Sequence, residues 1–257
     1  MTRVAILQSN YIPWRGYFDL ISKVDEFVIY DTCQYTVNDW RNRNQVKTRQ
    51  GLVWLTIPVL TKGRTGQLID EAQFEDRSWV KKHVKTIEQV LGRSPHFDVV
   101  QRLLADAFAE VGDTRRLHDV NVTLIRALSD ALALDTRITL DRDHGELDGS
   151  PSDQVAELAH RVGATSYLTG PRGLDYLEVG PFAERGIELE VIDYSSLDEY
   201  PQMFGDFAPT VSVLDLLANC GPDASQHFTS TLRRVEMLDG RPVVGGVVEP
   251  TGPDSRS

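Results

Sequence analysis

The sequence predicts an α/β protein with a parallel or mixed central sheet, flanking helices and a helical segment near residues 77–134. Three observations carry this expectation. Two short apolar runs, Val4–Leu7 and Phe27–Tyr30, are separated by a loop and an amphipathic stretch. From Trp79 onward, apolar residues recur at helical spacing over long segments. Ile187–Ile192 alternates apolar and polar residues, as a strand with one buried face does.

Val4–Leu7 has strand length and no polar interruption. Gln8–Trp14 reads as the loop after it, and Gly16–Lys23 as a helix with Tyr17, Leu20 and Ile21 on one face. Phe27–Tyr30 then closes a strand–helix–strand unit that ends at Asp31. Asn44–Thr48 and Leu52–Pro58 flank Gly51 and read as a hairpin. Trp79–Leu91, Phe97–Val111 and Thr114–Leu134 read as three helices; Val80, Val84, Ile87 and Leu91 form the stripe of the first. Ser152–Val162 is a further helix, with Ser152 as its expected N-cap. Tyr167–Thr169 is a short strand running into Gly170-Pro171, and Val213–Ala218 a short helix stopped by Gly221. Residues 1–240 are expected to form one domain and residues 241–257 a flexible tail.

Composition excludes several classes. The chain has 257 residues with 41% apolar and 25% charged, which fits a globular protein and not a disordered one. A net charge of −11 repels phosphate backbones, so bulk nucleic-acid binding is not expected. No membrane span and no signal peptide are expected: no run nears the length of a spanning helix, and Val4–Leu7 is too short for a secretory core. Two cysteines, Cys33 and Cys220, make no disulfide framework, and a cytoplasmic location is the expectation. From Arg41 to Arg64 the chain carries Lys and Arg but no Asp or Glu. A basic segment in an acidic protein fits an anionic small ligand or an acidic partner surface, or else a solvated hairpin.

In parallel α/β folds, ligands sit beyond the carboxyl ends of the strands. Two segments fall there. The first is Gln8–Trp14, in which Tyr11 and Trp14 stand beside amides. This is a recognition surface, or else aromatic packing over the sheet. The second is Asp31, Gln34, Asn38, Asp39, Trp40, Arg41, Asn42, Arg43, Asn44 and Lys47. Arg and Asn supply planar donors suited to carboxylates, phosphates and sugar hydroxyls, and Trp40 a ring face. Further candidates are Gly170, Asp175 and Tyr176 after the 167–169 strand, and Asp215 near the C-terminus. The six histidines lack HxxxH or HExxH spacing, and there is no CxxC, GxSxG, GxxxxGK[ST] or GxGxxG. No metal site is expected, and no cofactor is specified. His83 is the general-base candidate, with Asp31 as second choice. Cys33, near basic residues at a strand end, is either an activated thiol or a buried inert one.

Together these segments resemble the WbqC-like family. The resemblance runs through QSNYIPWRGYFDLISKVDEFVIYD, QYTVNDWRNRNQVKT, WLTIPV, WVKKHVKTI, YLTGPRGLDYL, GIELEV and YPQMFGDFAPTVSVLDLLANCG, covering about Val4 to Gly221. The chain departs from the family pattern at Gln8-Ser9, where QP is usual. It departs at Thr32-Cys33, where an acidic or apolar pair is usual, so Cys33 is no shared family nucleophile. It departs again at Asp141–Gly145, where DRDHG replaces a Ser-Ser-Glu-like segment. The resemblance implies a role in glycan or natural-product biosynthesis: an acyl or aminoacyl transfer, glycyl transfer included, that forms an amide on an amino sugar or sugar-containing metabolite. Partners would be an amino-sugar or nucleotide-sugar substrate and an acyl or aminoacyl carrier protein. Two other readings stand beside it. One is an ATP-dependent nucleotidyl-transfer or ligase-like enzyme, similar in its strand–loop–helix–strand opening to nucleotidylyltransferases, although the HxGH histidines are missing. The other is a non-catalytic sugar-binding protein.

Overall fold

The computed structural model describes residues 1–238 and 241–248. Seven strands form one mixed sheet: β1 (Arg3–Leu7), β2 (Glu26–Ile29), β5 (Arg137–Leu140), β6 (Ser166–Thr169), β7 (Glu188–Asp193), β8 (Thr231–Leu238) and β9 (Arg241–Val248). Their spatial order is β5-β2-β1-β6-β7-β8-β9. The first five are parallel, and β8 and β9 complete one edge antiparallel. A second, two-stranded sheet is the hairpin of β3 (Arg43–Thr48) and β4 (Gly51–Thr56).

Strand alternation divides β1 and β2 between two cores. Ala5, Phe27 and Ile29 face a large cluster with α1 (Arg15–Ser22), α2 (Ser78–Leu91), α3 (Phe97–Glu110), α4 (Leu117–Ala131) and α7 (Val213–Cys220). Val4, Ile6 and Val28 face a smaller one with α5 (Pro151–Arg161) and Phe182 of α6 (Gly180–Glu184). A strand covered on both faces gains from being apolar throughout, which is why Val4–Leu7 reads as an unbroken run. No helix among the described residues is long and apolar enough to cross a membrane.

Several boundaries differ from expectation. α5 starts earlier, because Ser150 rather than Ser152 is the cap: its hydroxyl accepts from Asp153 N, while the Asp153 carboxylate accepts from Ser150 N. The Ser152 hydroxyl instead accepts from Glu178 N at 3.0 Å. β5 was not expected, since Arg137–Leu140 is short and only partly buried at the sheet edge. The segment expected to be tail forms β9 over Arg241–Val248. The rest of that segment, 249–257, lies outside the described residues.

Between β1 and its two neighbours the chain reverses direction of travel across the sheet. β2 and then β5 lie to one side of β1, and β6 and then β7 to the other. The crevice beyond the carboxyl ends of β1 and β6 is therefore the topological switch point, the place where open α/β sheets bind ligands.

Candidate functional site

A cleft of about 550 Å³ opens at this switch point. Its floor is Leu7, ending β1, with Gln8 just after it, and Thr169, ending β6, with Gly170 just after it. One wall is aromatic, built from Trp14, Tyr17 and Tyr194, with Trp40 and Tyr176 at its margins. Trp14 packs edge-on against Tyr194, ring centroids 5.0 Å apart. The Trp14 indole also lies over the start of α1, so closely that only glycine fits at position 16. The Tyr17 hydroxyl donates to the Gln8 carbonyl at 3.0 Å.

Arg41 supplies the cation. Its Nη2 donates to Gln8 Oε1 at 3.0 Å and its Nη1 to Asn10 Oδ1, while Asp39 stands 3.8 Å away. A guanidinium has five N–H donors, so two fixed amide contacts orient it without exhausting it. Asp39 is the carboxylate that lines the cleft, and Arg172 adds a second guanidinium. Among the described residues, no Ser, Cys or His lines it.

Buried bonds hold the two loops together. Asn121, from α4, donates from Nδ2 to the Ser9 hydroxyl at 3.1 Å and to the Arg41 carbonyl at 2.8 Å. Tyr11 N donates to the Trp40 carbonyl at 3.0 Å. Asn44 Nδ2 donates to the carbonyls of Tyr11 at 3.2 Å and Ile12 at 2.9 Å. Those bonds secure Ile12 at φ 38°, a conformation β-branched residues rarely adopt.

Of the residues singled out from sequence, the cleft brings together Gln8, Trp14, Trp40, Arg41, Asn44, Gly170 and Tyr176. The others lie elsewhere. His83 is buried, its Nδ1 hydrogen-bonded to the Tyr11 hydroxyl at 2.9 Å and its ring packed on Trp79. Burial pushes its pKa down to about 4, the Thr56 backbone opposing this and Lys82 adding to it. A ring so placed, outside the cleft, does not meet the expectation of a base toward an acceptor amine. Tyr11 is equally buried, and burial holds its hydroxyl far above the usual phenol range.

Asp31 is fully buried behind the cleft, not in it. One carboxylate oxygen accepts from Ser9 N at 2.8 Å, the other faces His118 Nδ1 at 2.7 Å. Through Ser9 it holds the loop after β1, and it does not line the cleft. Asn42 is buried and donates to the Ile57 carbonyl at 2.8 Å. Arg43 lays its guanidinium 4.3 Å from the centre of the Trp54 ring. Lys47 is buried, with Nζ donating to Gln202 Oε1 at 3.1 Å and the Gly205 carbonyl at 3.4 Å. Gln34 and Asp175 are exposed outside the cleft. Asp215 is buried in α7, and burial raises its carboxyl to about 6 despite contacts with Tyr200 and the nearby Lys47.

Cys33 donates to the Tyr30 carbonyl at 3.3 Å, and burial pushes its thiol up to about 11. Burial therefore keeps the thiolate form scarce at neutral pH. The Asp141 carboxylate accepts from Thr32 N at 2.9 Å and from the Thr32 hydroxyl.

Asp39, singled out with its segment, also lines the cleft, whereas Asn10, Thr169, Arg172, Tyr194 and Thr210 are not individually assigned to the site by sequence reasoning. Asn10 and Asp39 lie inside segments already singled out. Tyr194 and Thr210 follow β7 and precede α7, and nothing in their local sequence points toward β1.

The model of the family described as the WbqC-like protein family matches residues 8–227. The chain is also similar to a Mycobacterium tuberculosis protein named "Uncharacterized protein Rv1507c", 42% identical over 228 residues, which cover 89% of this chain and 98% of the relative. No solved structure matches.

Proposed function

The chain belongs to the WbqC-like protein family, and on that premise we propose that its cleft transfers an acyl or aminoacyl group, glycyl among the candidates, to the amine of an amino sugar or sugar-containing metabolite. The observation that carries this reading is the composition of the cleft: an aromatic wall beside a guanidinium held by two amides, at the switch point of the sheet. Aromatic faces suit a sugar ring or a base, and the free donors of Arg41 suit the phosphate of a nucleotide sugar or of an acyl carrier.

The chemistry follows from what lines the cleft. Among the described residues the cleft holds no cysteine, and no histidine stands among its lining residues to activate Thr169 or Thr210, so the reading is direct attack rather than an acyl-enzyme. The amine nitrogen of the acceptor attacks the activated carbonyl carbon and the bond to the leaving sulfur or oxygen breaks. The amine proton passes through Asp39 to the leaving group. Arg41 holds the anionic part of the substrate so that the reacting atoms stay in register.

A second reading has one observation in its favour. The five parallel strands take the order third, second, first, fourth, fifth along the chain, as in doubly wound nucleotide-binding sheets. It would make the protein an ATP-dependent ligase of the same amide. One experiment separates the two: the protein is incubated with amino sugars and, in turn, an acyl thioester, an aminoacyl-tRNA, or an amino acid with ATP. Amide product with the thioester alone supports transfer. Product that requires ATP and releases AMP or ADP supports ligation. No adduct with any donor, across a panel of amino sugars and nucleotide amino sugars, refutes both.

A further inference from the structure

The β3–β4 hairpin is built unevenly. β3 turns Asn44, Val46 and Lys47 inward, whereas β4 is exposed at every position but Leu55. β4 pairs with β3 on one side, and no other described strand pairs with its second edge. Three consecutive large apolar residues stand open on it: Leu52, Val53 and Trp54, at 43, 41 and 40% exposure. Edge strands of this kind are normally blunted or covered. Trp54 is partly covered by Trp40 and Arg43, but no packing inside the chain is shown for the open faces of Leu52 and Val53.

The patch is continuous with the cleft. Trp54 packs on Trp40 with ring centroids 5.4 Å apart, and Trp40 lines the cleft. Cations stand on the hairpin itself: the Arg43 guanidinium covers the Trp54 ring and Arg49 is exposed at the turn. The segment from Arg41 to Arg64 itself contains no carboxylate, in a chain whose net charge is −11.

We propose that β4 and its flanking cations dock a small acidic protein carrying the acyl group as a thioester on a flexible arm, with the arm entering the cleft past Trp40. This rests on the transfer reading above and names the donor. The surface favours a protein over an RNA carrier. An open strand edge with Leu and Val takes main-chain hydrogen bonds and apolar side chains, and the acidic remainder of the chain repels a long polyanion. The patch is small, as suits a partner that must leave after each turnover. On transfer the acceptor nitrogen bonds to the acyl carbon, the carbon–sulfur bond breaks, and the amine proton leaves with the free thiol of the arm.

The test uses the full chain and two donors: an acidic acyl carrier protein bearing an acylated phosphopantetheine arm, and the same acyl group on free pantetheine. Val53→Glu and Arg49→Glu alter the hairpin surface without touching the cleft. The proposal expects each variant to raise KM for the carrier-borne donor at least tenfold and to leave the rate with acyl-pantetheine unchanged. It also expects direct carrier binding, followed by fluorescence anisotropy, to weaken in parallel and to fall with added salt. An unchanged KM for the carrier-borne donor in both variants overturns the docking site while leaving transfer intact. Failure of both donors with the wild-type chain overturns the transfer reading and the docking inference with it. Hairpin-dependent use of aminoacyl-tRNA instead of the carrier, or a dimer in sedimentation that Val53→Glu dissolves, overturns the assignment of the occupant.

Discussion

Acid should destabilise this protein through His83 in a way that can be isolated. The ring sits in a cage of Tyr11 and Trp79, and burial lowers its pKa from 6.5 to about 4. Because the folded value is depressed, the neutral ring contributes stability that is complete above about pH 6.5 and is lost as pH falls toward 4. At ~1.36 kcal/mol per pKa unit, the 2.5-unit gap amounts to about 3 kcal/mol over that window. Other groups titrate there too, so the measurement is a difference. Tyr11→Phe/His83→Leu removes both partners of the 2.9 Å hydrogen bond and leaves no orphaned hydroxyl. Urea unfolding of wild type and double variant at half-unit pH steps should show the wild type losing about 3 kcal/mol more between pH 7 and pH 4. The single change His83→Ala, which strands the Tyr11 hydroxyl and opens a cavity, should cost roughly 2–5 kcal/mol and leave specific activity of the folded fraction intact. Parallel pH profiles for wild type and double variant would refute the buried, neutral assignment. So would a His83→Ala protein with normal stability and turnover reduced a hundredfold.

Three further outcomes are expected. Asp215→Asn should stabilise the protein at pH 7.5 by roughly 1–3 kcal/mol: the carboxyl is raised from 3.8 to about 6, so its ionisation opposes folding above pH 6 and the gain should vanish near pH 4 in thermal melts. In a Cys220→Ala background, iodoacetamide should alkylate Cys33 slowly at pH 7.5, with a rate rising about tenfold per pH unit up to pH 10; rapid labelling at neutral pH would contradict a thiol at about 11. Arg41→Lys keeps the charge but not the paired contacts to Gln8 and Asn10, so it should lose at least tenfold in substrate affinity, close to the loss in Arg41→Ala. Calorimetry or KM measurement checks it, and full affinity in Arg41→Lys would show that the guanidinium geometry is not used.

What sequence reveals here depends on the distance over which each residue acts. Val4–Leu7 and Phe27–Tyr30 declare a parallel unit because burial on both faces demands unbroken apolar runs. That unit, with the position of Gln8 and Asn10 after β1, is enough to locate the cleft. Direction is less legible. His83 and Asp31 have the right chemistry and lie in the right segments, yet both turn away from solvent. Their side chains are set by Tyr11 and Trp79 for His83 and by His118 for Asp31, and Tyr11 and His118 are each distant in sequence from the residue they fix. Arg41 and Arg43 show the same limit on a smaller scale. One is drawn to Gln8 and Asn10, the other laid on Trp54, a residue of the opposite strand of the hairpin. Tyr194 and Thr210 reach the cleft only through the order of strands in the sheet, and local pattern does not record that order.

The site is consequently a scaffolded surface more than a set of reactive groups. Ile12 at φ 38° costs of the order of 1–3 kcal/mol, a cost sustained by the two Asn44 bonds and by complete burial of the side chain. That turn sits between Asn10 and Trp14 and sends the first toward Arg41 and the second over α1 toward Tyr194. Asp31 fixes the same loop from behind through Ser9, and Asn121 ties Ser9 to the Arg41 carbonyl. The polar residues buried around this loop thus share one task, to hold a guanidinium and an aromatic wall at a set separation. Pre-organisation of this kind lowers the entropy lost when two substrates are brought together. It is the contribution a protein can make to amide formation when the donor is already activated and the acceptor amine is itself the nucleophile.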